Sequence, residues 1–208
     1  MKKFGVLFLA AGVLSLGACT ETVEVTGGEE VVVESVTYNL DTENSSLTWK
    51  GMISADYFHT GTVDIKSGSI EMEGDALTGG SFVVDMATIT NTDLEDKDKA
   101  TYLAGHLTGT IVDEDHPVDM FFNTAKFPTV EVKLGEYKDG NLTTTLMILG
   151  SELTQDVPVT ITADEEGAMI KGKFSMDLTA VGVPGLTQHG EGSISPMVEF
   201  DLNVMLTK

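Results

Sequence analysis

An all-β fold, a single antiparallel barrel of about eight strands with one short helix, is what three features of this sequence predict. Apolar residues recur at every second position in short bursts, turn-forming residues separate the bursts, and only the stretch 91–107 breaks the alternation with helix-like signals. Successive side chains of a strand point to opposite faces, so each burst marks one buried face. Many short strands at regular spacing argue for a sandwich or barrel rather than for βαβ units.

The folded region is expected to open at Val36 or Tyr38, followed by a polar turn at 41–44. Leu47, Trp49, Gly51 and Ile53 then share one face, as do Val63 with Ile65, Ile70 with Met72, and Phe82 with Val84 and Met86. Ser67-Gly68, Glu73-Gly74-Asp75 and Gly79-Gly80 read as hairpin turns between these bursts. Tyr57, Phe58 and His59 fall in a linker, where aromatics serve equally as guards of a cavity mouth or as a plug.

Asn91 and Asp93 are N-cap candidates for a helix over 94–104, with Leu94, Thr101, Leu103 and Leu107 forming a patchy apolar face and Gly105 as the stop. The 113–117 run suggests a loop leading to a single helical turn with Pro117 at its first position. Strands resume after Pro128: Val130, Val132 and Leu134; Leu142, Thr144, Leu146 and Ile148 after the Asp139-Gly140-Asn141 turn; Val157, Val159 and Ile161. Ile170, Gly172, Phe174, Met176 and Leu178 follow, and Val198, Phe200, Leu202, Val204 and Leu206 give the clearest alternation of all.

The chain has 208 residues, enough for one sizeable core, and carries 33 acidic residues against 12 lysines with no arginine, a formal charge of -21. Phosphate contact needs clustered cations, so nucleic acid is excluded as a partner. No D-x-[DN]-x-[DN]-G calcium loop occurs, and the acidity reads as a solvated surface.

At the N-terminus, Lys2 and Lys3 precede an apolar run over 4–16, too short to span a bilayer in a mature protein. Gly17 and Ala18 then lead to Cys19, the one cysteine of the chain. Residues 1–18 therefore read as a signal peptide, and Leu16-Gly17-Ala18-Cys19 resembles the lipobox of bacterial lipoproteins, with Cys19 as lipid anchor. Loss of Lys2 and Lys3 would move the formal charge from -21 to -23. Acyl chains contribute about 0.8 kcal/mol per buried CH₂, whereas repulsion from an anionic surface decays over about 8 Å, so the anchor dominates. Residues 19–35 read as an acidic tether of about 20 Å average reach, although Val31 to Val33 could form an edge strand, and 36–208 as the barrel. Thr20, in place of an aspartate after the cysteine, points to the outer membrane of a bacterial envelope, facing periplasm or cell surface.

Several segments, in order and spacing, resemble the YceI-like family from about Tyr38 to the C-terminus. These are Tyr38 with Asp41 and the serine-led Trp49 strand; His59-x-Gly61, Gly68 and Gly80-x-Phe82 to Asp85-Met86; and Gly105-His106-Leu107. The most distinctive is Phe121-Phe122-Asn123-Thr124-Ala125-Lys126-Phe127-Pro128, followed by Leu146 through Gly150, Thr154 and Pro158-Val159. The resemblance implies a lipocalin-like antiparallel barrel holding a long apolar molecule, a polyisoprenoid or quinone-like lipid. Two departures stand out. Residues 109–118 look like an insertion between His-Leu and the phenylalanine pair, and the arginines that family members often carry are missing, so headgroup recognition by arginine does not transfer.

An eight-stranded barrel is just wide enough to be filled by side chains or to hold one slim ligand. The candidate ligand-binding residues are Trp49, Ile53, Val63, Ile65, Phe82 and Val84 from the first strands, and Leu146, Ile148, Phe174, Met176, Phe200 and Leu202 from the later ones. Leu103 and Leu107 join them from the helix, with Phe58, Phe121, Phe122 and Phe127 near an opening. A one-residue slip would turn every strand inside out. No cofactor is expected beyond a bound isoprenoid lipid.

Catalytic and metal patterns are weak. No two of His59, His106, His116 and His189 have a spacing that makes a ready metal pair, Glu114-Asp115-His116 reads as a solvated loop, and His106 suits a helix C-terminus. The 167–174 stretch approaches a phosphate loop but places Phe174 where Ser or Thr is required. Two alternatives stay open: a ligand-free barrel acting as a surface interaction or stress-protective module, and a lipid hydrolase or isomerase depending on His106 or His189.

Overall fold

The computed structural model describes residues 34–54, 56–188 and 194–208. The expected signal peptide, Cys19, nearly all of the tether and His189 lie outside the described residues. The strands are β1 (Ser35–Leu40), β2 (Ser46–Ser54), β3 (Tyr57–Glu73), β4 (Ala76–Asp85), β5 (Thr129–Lys138), β6 (Asn141–Ile148), β7 (Ser151–Ala163), β8 (Gly167–Asp177) and β9 (Met197–Thr207). Helix α1 spans Lys97–Thr108 and the short α2 Gly185–Gln188, with 3₁₀ turns at Met86–Thr88 and Leu178–Val181.

All strand pairings are antiparallel, and β3–β4 closes the sheet into a barrel. Nine strands occupy eight positions because β1 and β2 lie end to end between β3 and β9. In β3, Ser69 to Glu73 pair with β1 and Phe58 to Val63 with β2, while β9 gives Leu206 and Thr207 to β1 and Val198 to Asn203 to β2. The expected polar turn breaks this line: Asp41 Oδ1 accepts the backbone N–H groups of Glu43 and Asn44 at 3.1 and 3.2 Å.

Glycine is where sequence and structure part most clearly. Ser67-Gly68 is not a turn but sits inside the 17-residue β3, and Gly79-Gly80 sits inside β4. A Cβ on Gly68 would fall 2.0 Å from Phe82 Cδ1, and one on Gly80 would fall 2.7 Å from the Ser69 carbonyl oxygen. These glycines make room for ring and backbone rather than reversing the chain. Actual reversals occur at Gly74, at Asp139-Gly140 (φ 51° and 78°) and at Leu149-Gly150 (φ 52° and 77°), where the left-handed pair matches the twist of a two-residue hairpin.

The helix begins and ends later than the expected 94–104. Asp96 caps it, its carboxylate accepting from Asp98 and Lys99 N–H at 3.0 and 3.2 Å. Asn91 and Asp93 are instead spent on β3: Asp93 Oδ1 accepts the Thr60 N–H at 2.7 Å, and Asn91 Nδ2 donates to the Thr60 carbonyl at 3.1 Å. Gly105 lies within the helix because Ile111 packs where its Cβ would be, 2.6 Å away, and Gly109 at φ 72° ends the helix. After Pro117 there are hydrogen-bonded turns rather than a helix, with Met120 N–H donating to the Pro117 carbonyl at 2.9 Å.

The hairpin tips 74–75, 139–140 and 164–166 gather at one end of the barrel with Ser35 and Thr207. That end is solid, filled by Tyr38, Ile70, Met72, Ile170 and Leu206. The opposite end carries α1, the 117–124 turns and the 3₁₀–α2 segment, and we call it the capped end.

Two outcomes follow. Ile70 is 0% exposed in the closed-end core, so Ile70→Ala is expected to lower unfolding free energy by about 2–5 kcal/mol in denaturant titration. Leu146→Ala, which removes atoms facing open space, should cost less. Asp93 is tied to the Thr60 N–H and to His59 Nδ1 at 3.0 Å. Burial raises its pKa, but the bonds from Thr60, His59 and Asn91 outweigh burial and hold it below 3.8. Its stabilisation is therefore complete above 3.8 and disappears as pH falls through the lower folded-state value. Asp93→Asn should destabilise the protein at neutral pH, with the difference from wild type narrowing in acid melts below that point.

Candidate functional site

Between the solid end and the cap the barrel encloses a cavity of about 250 Å³. Its wall is carbon almost throughout, and the strands supply it through their alternating inward positions. Leu47, Trp49 and Gly51 come from β2, Phe82 and Val84 from β4, and Val198, Phe200, Leu202 and Val204 from β9. In β3 an extra residue between Ile65 and Ser67 shifts the alternation, so that Val63 and Ile65 face inward together with Ile70 and Met72.

The wall has three tiers. Nearest the solid end it is aliphatic, with Leu142, Val159, Ile170 and Val204. Above lie Trp49, which pairs in register with Gly61 and Phe200, and Phe174, whose ring stacks on Phe200 at 5.3 Å between centroids. The third tier is the cap, where Leu107, Phe121, Phe122, Val183 and Leu186 face the cavity. The cap is sewn together by backbone bonds: Phe122 N–H to Leu107 O at 3.1 Å, Thr124 N–H to Thr108 O at 2.9 Å and Gly185 N–H to Met120 O at 2.6 Å. Gly185 permits this approach, since a Cβ there would fall 2.8 Å from Phe121 Cε1.

Of the candidate residues, the structure brings Trp49, Val63, Ile65, Phe82, Val84, Leu107, Phe121 and Phe122 to the cavity wall. It also places Leu146, Ile148, Phe174, Met176, Phe200 and Leu202 there. Four candidates stand outside the wall. Ile53 falls at the register shift between Met52 and Ser54 and is 37% exposed. Phe58 pairs with Met52 on the outer face, 41% exposed, with Lys50 Nζ 4.7 Å from its ring centroid. Leu103 lies four residues back along α1, about 6 Å from the level of Leu107. Phe127 packs on the Leu149-Gly150 tip, with Cε1 3.4 Å from where a Gly150 Cβ would be.

Wall residues absent from the candidate set fall into two groups. Val132, Leu134, Val157 and Val159 belong to strands already read from alternation, so extending the same parity would have found them. Val183 and Ile194 come from irregular chain between β8 and β9, and Leu186 from the four-residue α2, where no sustained period exists to reveal an inward side.

A polar cluster borders the cap. Tyr102 Oη donates to Asp113 Oδ2 at 2.8 Å, and His116 Nδ1 lies 2.8 Å from Asp113 Oδ1. The hydrogen bond from Tyr102 is the main cause holding the Asp113 carboxyl below its usual range, and the same bond, with the negative charge of Asp113, raises the Tyr102 phenol. The His106 and His116 rings meet edge to face at 4.0 Å, and His106 contacts Phe121 at 5.0 Å between centroids. Phe121 is the member of this group that lines the cavity. Among the described residues no three His, Cys, Asp or Glu side chains converge as a metal site would require.

No curated protein sequence matches this chain. Among solved structures, the chain is similar to BcnA of Burkholderia cenocepacia, with a TM-score of 0.62 at 16% identity over 81% of this chain and 99% of BcnA. It is also similar to a polyisoprenoid binding domain from Saccharophagus degradans implicated in plant cell wall breakdown, with a TM-score of 0.59 at 15% identity over 82% of this chain and 97% of that domain. At such identities the likeness is one of fold. The model of the YceI-like domain covers residues 38–206, most of the chain, and the protein accordingly belongs to the YceI-like domain family.

Proposed function

We propose that this protein binds and carries an apolar lipid, a polyisoprenoid or quinone-like molecule, inside its barrel. The observation that carries the reading is the cavity: about 250 Å³ of carbon-lined space, closed at one end by packed side chains and covered at the other by a cap. Ordinary small-molecule sites run to about 300–1,000 Å³, so this space suits one slim ligand. From Val198 to Val204 the wall extends about 20 Å along β9, or about 15 Å along the axis for a strand tilted by about 40°. Each isoprene unit buried contributes about 3 kcal/mol gross, so a few units offset the cost of association. The polyisoprenoid-binding description of the Saccharophagus degradans domain supports the same reading. Sequestering such a tail requires no catalytic group.

We further propose that the protein is a lipoprotein of the bacterial envelope, anchored through Cys19 in the outer membrane, with residues 1–18 removed on export. The lone cysteine at the end of a lipobox-like tetrapeptide supports this.

Protein purified from its native membranes is expected to release a lipid in near-stoichiometric amount on solvent extraction, detected by mass spectrometry. Repeatedly empty extracts would favour the ligand-free interaction module instead. Leu146→Trp, which fills the space of about one isoprene unit, should weaken lipid binding by about a hundredfold while the barrel's circular dichroism persists. For the anchor, Cys19→Ser should move the protein from the membrane fraction to the soluble one and abolish incorporation of labelled fatty acid. Continued membrane association of that variant in washed vesicles would refute the anchor.

A further inference from the structure

Single apolar side chains on a protein surface are ordinary, and where they gather carries more meaning than that they occur. In this barrel they gather at one end. Ile53, Tyr57 and Phe58 are exposed at the β2–β3 tip, with Met197 beside them at the start of β9, where the Ser195 N–H donates to the Met52 carbonyl at 2.8 Å. On the cap, Tyr102 of α1 and Val112 and Val118 of the 109–118 insertion are exposed. Met147 is exposed near the end of β6, four strands round the barrel from β2. All of these positions belong to the capped end. Among the described residues the solid end exposes no large apolar side chain, and its tips are Gly74-Asp75, Asp139-Gly140 and Asp164 to Glu166.

The exposure does not come from loose chain. In the insertion Ile111 fills the Gly105 seat and pins the loop to α1, yet the next residue, Val112, is 54% exposed. Tyr57, equally exposed, meets the His59 ring edge-on at 5.2 Å, and the pairing with Met52 turns Phe58 outward. Asp93 and Asn91 hold Thr60 in place just behind that tip.

Three features constrain what covers this end. The chain preceding the described residues joins the barrel through Ser35 at the solid end, far from the cap. The exposed side chains stand on opposite walls and across the cap, so a second copy would have to bury the whole end to match them, whereas a fluid surface adapts to them. The charges among them are of mixed sign. Lys50 lies over the Phe58 ring at 4.7 Å and pairs with Glu199 at 3.3 Å, Lys126 lies over Phe127 at 4.9 Å, and Asp113, Glu114 and Asp115 stand in the insertion. Lysines with stems on apolar surface and tyrosines with polar tips suit a headgroup layer, while the carboxylates oppose one that is net negative.

We infer that the capped end is a docking face for the surface of a zwitterionic lipid bilayer, entered by the Tyr57–Phe58 tip and by Val112 of the insertion. This rests on the lipid-binding reading above and deepens it. With the cap set against a bilayer, a tail passing beneath Phe121 and Leu186 moves from one hydrocarbon surface to another without crossing bulk water.

The test asks which end of the barrel meets lipid. In the full-length Cys19→Ser chain a single cysteine is introduced, either Val112→Cys on the cap or Asp75→Cys at the solid end, and labelled with a polarity-sensitive fluorophore. On adding phosphatidylcholine vesicles, the Val112→Cys label is expected to shift to the blue and to be quenched by spin-labelled lipid, and the Asp75→Cys label to stay unchanged. Adding Tyr57→Ser and Phe58→Ser should remove most of that response at the same vesicle concentration, since two aromatic contacts with lipid change partition by about tenfold to a hundredfold. Replacing part of the phosphatidylcholine with phosphatidylglycerol should weaken it as well. Equal responses from both labels, a response from Asp75→Cys alone, or none from either would overturn the inference. So would a full response in the serine variant, or tighter docking on the anionic vesicles. A blue shift that grows with protein concentration in the absence of vesicles, together with a doubled mass in solution, would assign the face to a second copy and overturn it too. Lipid recovered by solvent extraction alongside an unresponsive Val112→Cys label removes the docking face and leaves lipid binding standing; empty extracts with a responsive label do the reverse.

Discussion

One extra residue in β3 determines how the interior of this barrel is made. Side chains alternate strictly along a strand, so Val63 and Ile65 would face opposite to Ile70 and Met72 if β3 were regular. The register shift between Ile65 and Ser67 absorbs one position, and both pairs face the axis. The same strand pairs with β1 and β2 on one side and closes the barrel onto β4 on the other. Gly68 then accommodates the Phe82 ring at that closure, where any Cβ would collide with it. Without the shift, one half of β3 would expose its apolar residues and the solid end would lose Ile70, its most deeply buried side chain.

From that arrangement comes the division into a filled end and an open one. At the solid end Tyr38, Ile70, Met72, Ile170 and Leu206 converge, and the Tyr38 hydroxyl reaches the Asp164 carbonyl at 2.8 Å, so even the polar tip of that plug is matched. Higher up, the inward residues of β2 include Gly51, and the large residues that remain line the space without filling it. The cap supplies Phe121, Phe122 and Leu186 to cover that surface, tied across by backbone bonds from three separate chain segments. Leaving apolar wall unpacked sacrifices stability that the solid end has to supply.

The strands were legible because period-two alternation is imposed by the backbone itself, and most of the inward positions on β4, β6, β8 and β9 follow from it directly. The glycines misled, since Gly68 and Gly80 answer to a ring and a carbonyl from neighbouring strands, and such cross-strand crowding has no local signature. The helix ends were displaced for a similar reason: Asp93 would cap a helix as well as Asp96 does, but Thr60 on β3 claims it. Ile53 illustrates the limit of parity at a strand end, where a register shift removes a hydrophobic side chain from the interior, whereas Phe58, expected near an opening, is held on the outer face by its pairing with Met52. Residues of the cap, such as Val183 and Ile194, carry no period, and their place depends on tertiary contacts alone.

The absence of arginine bears on what the cavity can hold. A guanidinium lining so apolar a space would lose its hydration, a penalty of several kcal/mol unless a counter-charge accompanied it. Such a residue would favour anionic headgroups and require a carboxylate or phosphate to be carried inside with the tail. The acidic side chains of this highly charged protein, such as Glu199 and Asp201, occupy the alternate, outward positions of β9. Charge thus stays on the outside of the barrel, and the inside offers a ligand almost nothing but hydrocarbon surface.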